Sequence, residues 1–165
     1  MDRLWSPWRY AYVSQAESSG GCIFCEKSAS RRDRANYIVH RGAHNFVLLN
    51  LYPYTNGHLM IAPYEHVATL EQAAGETLTE MIRLARLAEK HLRSIYRAKG
   101  VNIGMNIGEC AGAGVAGHIH MHVLPRWPGD VNFMTAIGET RVVPEDLAVT
   151  RRKLVRAFRL LTPGS

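Results

Sequence analysis

Three histidines occupy alternate positions in the segment "GHIHMHVLPRW": His118, His120 and His122, separated by Ile119 and Met121. The chain has 8 histidines in 165 residues, so this short segment holds a large share of its imidazole. On an extended strand, residues i, i+2 and i+4 share one face. The three rings would then project together, while Ile119, Met121 and Val123 pack on the other side. Such a trio serves either as a metal ligand set or as a nucleophile and acid–base cluster. Spacing alone leaves both open. Just ahead lies "GECAGAGVAG", with four of the chain's 14 glycines in ten residues. Backbone N–H groups in such a loop can approach phosphate oxygens closely, and beside the histidines this points to phosphate chemistry.

A second chemical pattern is "CIFC", Cys22 and Cys25, with Cys110 standing alone. An odd cysteine count in a chain with no signal-peptide pattern speaks against a disulfide framework. The pair is then redox-active, metal-binding or accidental. No clear strand precedes it and no obvious helix follows it, which gives the redox reading no support.

The elements that must position these residues can be read from periodicity. Strand-like runs cover 36–41, 45–52 and 57–63, joined by short polar connectors, so they should pair as adjacent antiparallel strands. Leu78, Met81, Ile82, Ala85, Ala88, Leu92 and Ile95 recur at helical spacing, and Gly100 is placed to end that helix. Two further strands are expected at 101–108 and 118–125. A C-terminal helix, 144–161, starts at Pro144 and turns Leu147, Leu154, Phe158 and Leu161 to one face. Residues 1–21, with Trp5, Trp8 and Tyr10, form an N-terminal extension ending in a soft link. About five strands and two main helices in mostly antiparallel order make an α+β domain, and 165 residues suit a single one.

Composition narrows the function classes. No apolar run approaches the ~20 residues of a membrane span and the N-terminus lacks an apolar leader core, so the expected location is the cytoplasm. The formal net charge of +6 favours polyanionic partners, nucleotides among them. Part of the excess lies in "SRRDR" at 30–34 and "TRRKLVRAFR" at 150–159. No aromatic-interleaved strand pattern supports nucleic-acid binding.

With these residues in view, the chain resembles the histidine-triad family of nucleotide hydrolases and transferases. "HIHMHVL" fits its His-φ-His-φ-His-φ-φ motif (φ, apolar). "LLNLYPYTNGHLMIAPYEH" upstream and "PRWPGDVNF" downstream extend the similarity over nearly the whole chain. "LWSPWRYAYV", "CIFC" and "GDVNFMTAIGETRVVPEDL" are most similar to its bacterial diadenosine tetraphosphate phosphorylase branch. The resemblance implies a histidine-triad fold, its sheet continued across a homodimer. It makes His120 the nucleophile toward an α-phosphorus, His122 a hydrogen-bonding partner of that phosphate, and His58 their electrostatic neighbour. It gives Asn50 the ribose hydroxyls, Leu51 the base, and Asn106, Gly112 and Gly114 the phosphates. Trp127 would stack on adenine or pack at the dimer boundary.

The resemblance also implies a structural zinc held by Cys22, Cys25, His66 and His118, and no organic cofactor. The implied partners are adenine nucleotides and dinucleoside polyphosphates, with orthophosphate as acceptor, in phosphorolysis of diadenosine tetraphosphate to ADP and ATP. Hydrolysis of the same substrates or of adenosine phosphoramidates is the alternative, and a zinc-stabilised nucleotide-binding module with little turnover is another. The intact triad speaks against that last reading. One departure stands out. Many relatives carry Gln and then Ser or Thr where this chain has Gly114 and Val115, so leaving-group contacts must come from backbone or elsewhere.

Overall fold

The computed structural model describes residues 21–130 and 145–160. Residues 1–20 of the expected extension, Pro144 and Leu161 lie outside them. The elements are α1 (Ile23–Ala29), β1 (Ile38–Arg41), β2 (Asn45–Leu49), β3 (Leu59–Pro63), α2 (Gly75–Tyr96), β4 (Gly100–Met105), β5 (Met121–Arg126) and α3 (Leu147–Arg159). The strands form one sheet in the order β1-β2-β3-β5-β4, every pair antiparallel. The five antiparallel strands agree with the sequence reading. The two main helices agree as well, and among the described residues the short α1 is added to them.

Each face of the sheet buries its own apolar set. On one face Val47, Leu49, Leu59, Ile61, Ile119, Met121 and Val123 pack against Met81, Leu84, Ala88 and Leu92 of α2, and Leu154 and Phe158 of α3. On the other, Phe24 of α1 packs with Ile38, Phe46, Leu48, Met60 and Ala62. Central strands β2 and β3 are therefore buried at every position, whereas β5 alternates buried and half-buried residues. Period-2 alternation weakens wherever both faces are covered.

Helix α2 begins a turn before Leu78 and ends at Tyr96, because Arg97 adopts the left-handed conformation (φ 51°) that breaks it. Gly100 does not end the helix; it opens β4 opposite Arg126, and the N–H of Lys99 already donates to the Arg126 carbonyl (2.9 Å). The chain must turn early to begin pairing there. Glu80 on α2 accepts from the N–H groups of Ala43, His44 and Asn45, each at 2.7 Å, tying the β1–β2 turn to the helix. Helix α3 takes its start from Asp146, whose carboxylate accepts from the N–H groups of Ala148 and Val149, an N-cap of the kind that typically stabilises by ~1 kcal/mol. No helix among the described residues is long and apolar enough to cross a membrane.

Candidate functional site

His118 and His120 precede β5, and only His122 lies within the strand. The alternation predicted for a strand nevertheless holds through the extended lead-in. Ile119, Met121 and Val123 enter the α2-covered core, and the three imidazoles turn to the face that carries α1, where Phe24 meets the first two. They differ in what they touch.

His120 is 4% exposed and its Nδ1 lies 3.0 Å from the carbonyl oxygen of His118. A carbonyl only accepts, so Nδ1 carries the proton and Nε2 keeps its lone pair. Burial pushes the His120 pKa below the ordinary histidine value, against the pull of that carbonyl. The ring is therefore neutral near pH 7 with Nε2 unprotonated, the state an imidazole nucleophile or base requires.

His122 belongs to a chain of polar contacts. The N–H of Tyr54 donates to Nδ1 of His58 (3.2 Å), and Nε2 of His58 lies 2.9 Å from Nδ1 of His122. Because His58 accepts at Nδ1, it must donate from Nε2. His122 accepts at Nδ1 and so carries its own proton on Nε2. Burial, then the nearby His120, push the His122 pKa down to about 4. One nitrogen of the pair His120 and His122 is thus an unprotonated lone pair, the other an N–H donor, on rings with centroids 4.9 Å apart. An electrophile with an anionic oxygen suits that combination.

The sequence around His58 explains its placement. Gly57 adopts φ +77°, and a Cβ there would come within 2.9 Å of Leu92 and 3.3 Å of Tyr96 on α2. Only glycine lets the chain pass this close to the helix while turning into β3. Asn50 accepts at Oδ1 from the N–H of Tyr52 (3.0 Å), and its amide lies 3.4 Å from Nδ1 of His58. Leu51 and Tyr52 beside it are exposed. In the glycine loop Asn106 donates to the carbonyl of Gly112 (3.2 Å), and the N–H of Gly112 is committed to the Glu109 carbonyl (2.8 Å). Val115 packs toward the apolar set around Phe24. Trp127 donates from its indole N–H to the carbonyl of Tyr96 (3.0 Å), which anchors the end of β5 to α2.

The remaining triad member faces a different chemistry. Nδ1 of His118 lies 3.3 Å from Sγ of Cys22 and 3.6 Å from Sγ of Cys25; Nδ1 of His66 lies 3.3 Å from Cys25. All four ligand atoms fall within 4.8 Å of one another. A tetrahedral zinc with bonds of ~2.3 Å to sulfur and ~2.0 Å to nitrogen has S···N edges of roughly 3.5 Å, so these spacings fit such an ion. Nε2 of His118 contacts the carbonyl of Pro63 at 3.0 Å. That bond puts the proton on Nε2 and leaves Nδ1 free to ligate, the outer support usual for a metal-bound histidine. The four residues implied by the resemblance thus lie close enough to bind a metal ion. Helix α1, where the sequence reading expected no helix, places two of them: Cys22 stands at its N-cap position without a side-chain cap bond and Cys25 lies in its first turn.

Residues 31–129 match the HIT domain family model. The chain belongs to the HIT domain family. Within it, the chain is 38% identical over 162 aligned positions to the AP-4-A phosphorylase of Mycobacterium tuberculosis, covering 93% of this chain and 83% of that one. Among solved structures, a Zn-bound histidine triad family protein from Mycobacterium smegmatis is similar with a TM-score of 0.69 and 28% identity, over 88% of this chain and 96% of that chain. A histidine triad nucleotide-binding protein from Sulfolobus tokodaii gives a TM-score of 0.68 and 25% identity, over 85% and 93%. The HIT fold accounts for the five-stranded sheet, and the triad itself is one continuous lead-in and strand.

Sequence reasoning overlooked two contributors to this site. Phe24 was visible only as one of the two residues between the cysteines, yet its ring lies 4.8 Å from that of His120 and 5.2 Å from that of His118. Tyr54 contributes a backbone N–H, which carries no side-chain signature, and a ring stacked on that of His58 at 5.1 Å.

Proposed function

We propose that this HIT protein is a nucleotidyl transferase acting on dinucleoside polyphosphates through a nucleotidyl-His120 intermediate, and that its reaction is phosphorolysis of diadenosine tetraphosphate to ADP and ATP. The observation that carries the reading is the bond from Nδ1–H of His120 to the His118 carbonyl, which leaves Nε2 as a buried, unprotonated nucleophile. The 38% identical AP-4-A phosphorylase supports the substrate class.

Nε2 of His120 attacks an α-phosphorus and forms the N–P bond. The bond from that phosphorus to the bridging oxygen breaks, and its electron pair leaves with ATP. The Nδ1 proton stays on His120, so the ring becomes cationic and its bond to the His118 carbonyl strengthens. His122 donates from Nε2–H to a non-bridging oxygen, where negative charge grows in the transition state. Its donor state is set by His58 and, behind it, by Tyr54 N–H. Orthophosphate then attacks the same phosphorus, releasing ADP and returning the Nε2 lone pair. Asn50 and Leu51 serve ribose and base, and the Asn106–Gly114 segment lines the phosphates. With Gly112 N–H used inside its turn, Gly114 is the better placed of the two glycines for an amide contact.

Zinc on Cys22, Cys25, His66 and His118 completes the proposal: when bound it supplies a closed cross-link between α1 and the approach to β5. The active form is a cytoplasmic homodimer of single 165-residue HIT domains, with adenine nucleotides and orthophosphate as its small-molecule partners. Product analysis with diadenosine tetraphosphate, with and without orthophosphate, tests the reaction. Orthophosphate-dependent ADP plus ATP is the expected result. AMP plus ATP would make the protein a hydrolase, and no cleavage would leave a nucleotide-binding module.

A further inference from the structure

Phe24 sits between two metal-ligand cysteines, but its side chain is aimed at the catalytic histidine. It is 1% exposed, and its ring lies 4.8 Å from the His120 ring at an interplanar angle of 37°. The same ring lies 5.2 Å from His118, whose carbonyl holds His120 Nδ1–H. That single hydrogen bond fixes one atom of the His120 ring and leaves the ring plane free to tilt about it. The Phe24 ring closes off that freedom on one side, with the edge-on His122 ring at 4.9 Å on another. Behind it, Ile38, Phe46, Leu48, Met60 and Ala62 hold Phe24 in place. We infer that Phe24 is a positioning residue for the nucleophile, ordering His120 for attack and stabilising the imidazolium formed when His120 is nucleotidylated. The inference rests on the covalent mechanism proposed above.

Two physical effects act in the same direction. A ring held by one hydrogen bond and by the Phe24 wall beside the His122 edge spends more time aligned with the α-phosphorus, and misalignment of even about 1 Å can cost 10²-fold. Charge comes second. Nucleotidylated His120 keeps its Nδ1 proton and gains a phosphorus on Nε2, so the imidazole is cationic while the free ring is neutral. An aromatic ring within ~6 Å attracts a cation, most strongly in a desolvated setting. Phe24 therefore interacts more strongly with the reacted ring than with the resting one, which raises the rate of adduct formation without tightening ground-state binding.

The test compares Phe24→Leu with Phe24→Tyr in the full-length, zinc-replete protein. Leu keeps an apolar side chain and loses the ring; Tyr keeps the ring and buries a hydroxyl in an apolar cluster. Packing alone makes Leu the more stable and, for a purely structural residue, the more active. Positioning predicts the opposite order of activity. The rate of adduct formation on His120 should fall about 10- to 30-fold or more in Phe24→Leu and stay within a few-fold of wild type in Phe24→Tyr. AMP affinity and metal content should be unchanged in both. The His120 Nδ1–H resonance, read by proton–nitrogen NMR without substrate, should be one sharp line in wild type and Phe24→Tyr and be broadened by exchange between ring orientations in Phe24→Leu. Wild-type rate and an intact resonance in Phe24→Leu overturn the inference, as does loss of activity that tracks stability or metal loss. If wild type itself forms no adduct, the proposed function falls, and the resonance comparison still decides whether Phe24 orders His120.

Discussion

The contact chain from Tyr54 N–H through His58 to His122 predicts an unequal effect of two amide substitutions at position 58. His58 is fully buried, accepts from Tyr54 N–H at 3.2 Å and meets His122 Nδ1 at 2.9 Å. In Gln, the terminal amide nitrogen can reach the place of Nε2 and keep donating to His122. In Asn, the shorter side chain places its amide near Nδ1, which leaves His122 Nδ1 without a donor. Nothing then fixes the Nε2–H tautomer of His122 that the proposed mechanism turns to the phosphate. Leaving Nδ1 of the half-buried His122 without its donor costs at most about 1–3 kcal/mol, which corresponds to about 5- to 150-fold in rate. His58→Asn should therefore lose about 5- to 150-fold in single-turnover cleavage of diadenosine tetraphosphate. His58→Gln should lose less than about 5-fold, since the hydrogen bond to His122 is retained. Stopped quench-flow at saturating substrate measures both, with AMP affinity as control. Equal losses in the two variants, or the smaller loss in Asn, would refute the relay and leave His58 as packing.

Other expectations follow from the same geometry. Replacing His120 by Ala or Asn should cost more than ~10⁴-fold in turnover, because covalent catalysis is lost along with any acid–base help; acid quench of wild type should trap a labelled adduct on the His120 peptide. Metal analysis of protein purified without added metal should find one zinc per chain, and Cys22→Ala should lose it together with several degrees of melting temperature. His122, held near a pKa of about 4, resists protons that the unfolded chain accepts from ~6.5 downward. Its contribution is thus complete above ~pH 6.5 and is lost as pH falls toward 4, at ~1.4 kcal/mol per pH unit. His40 and His91, also pushed down by burial, act in the same direction. Urea midpoints at pH 7.5, 6.0 and 5.0 read this slope, and His122→Asn should make it shallower; a flat profile would contradict it. Light scattering at micromolar concentration should give twice the chain mass.

What could be read from the sequence followed from periodicity and spacing. The alternation His118–Val123 placed imidazoles and core on opposite sides, and the i, i+3, i+4 apolar run located α2. Where those signals fail, the causes are local. Helix α1 has 7 residues, too few for a helical period to emerge. The end of α2 was assigned to Gly100 because glycine is the usual left-handed residue, yet Arg97 takes that conformation and spares Gly100 for the sheet. The metal set was accessible only through the resemblance, since Cys22 and His118 lie 96 positions apart. The relay behind His122 was less legible still: its outer donor is a backbone N–H, which any residue but proline would supply.

His118 presents two groups to two neighbours. Its imidazole faces the thiols, while its carbonyl oxygen holds the Nδ1 proton of His120. The first task depends on residue type; the second depends only on the course of the main chain. A replacement at 118 that preserves the extended backbone abolishes the ligand and leaves the tautomer of His120 intact. The two tasks are therefore separable by mutation even though they share one residue. Under selection, the proposed metal set can be dismantled one ligand at a time while Nδ1 of His120 keeps its proton.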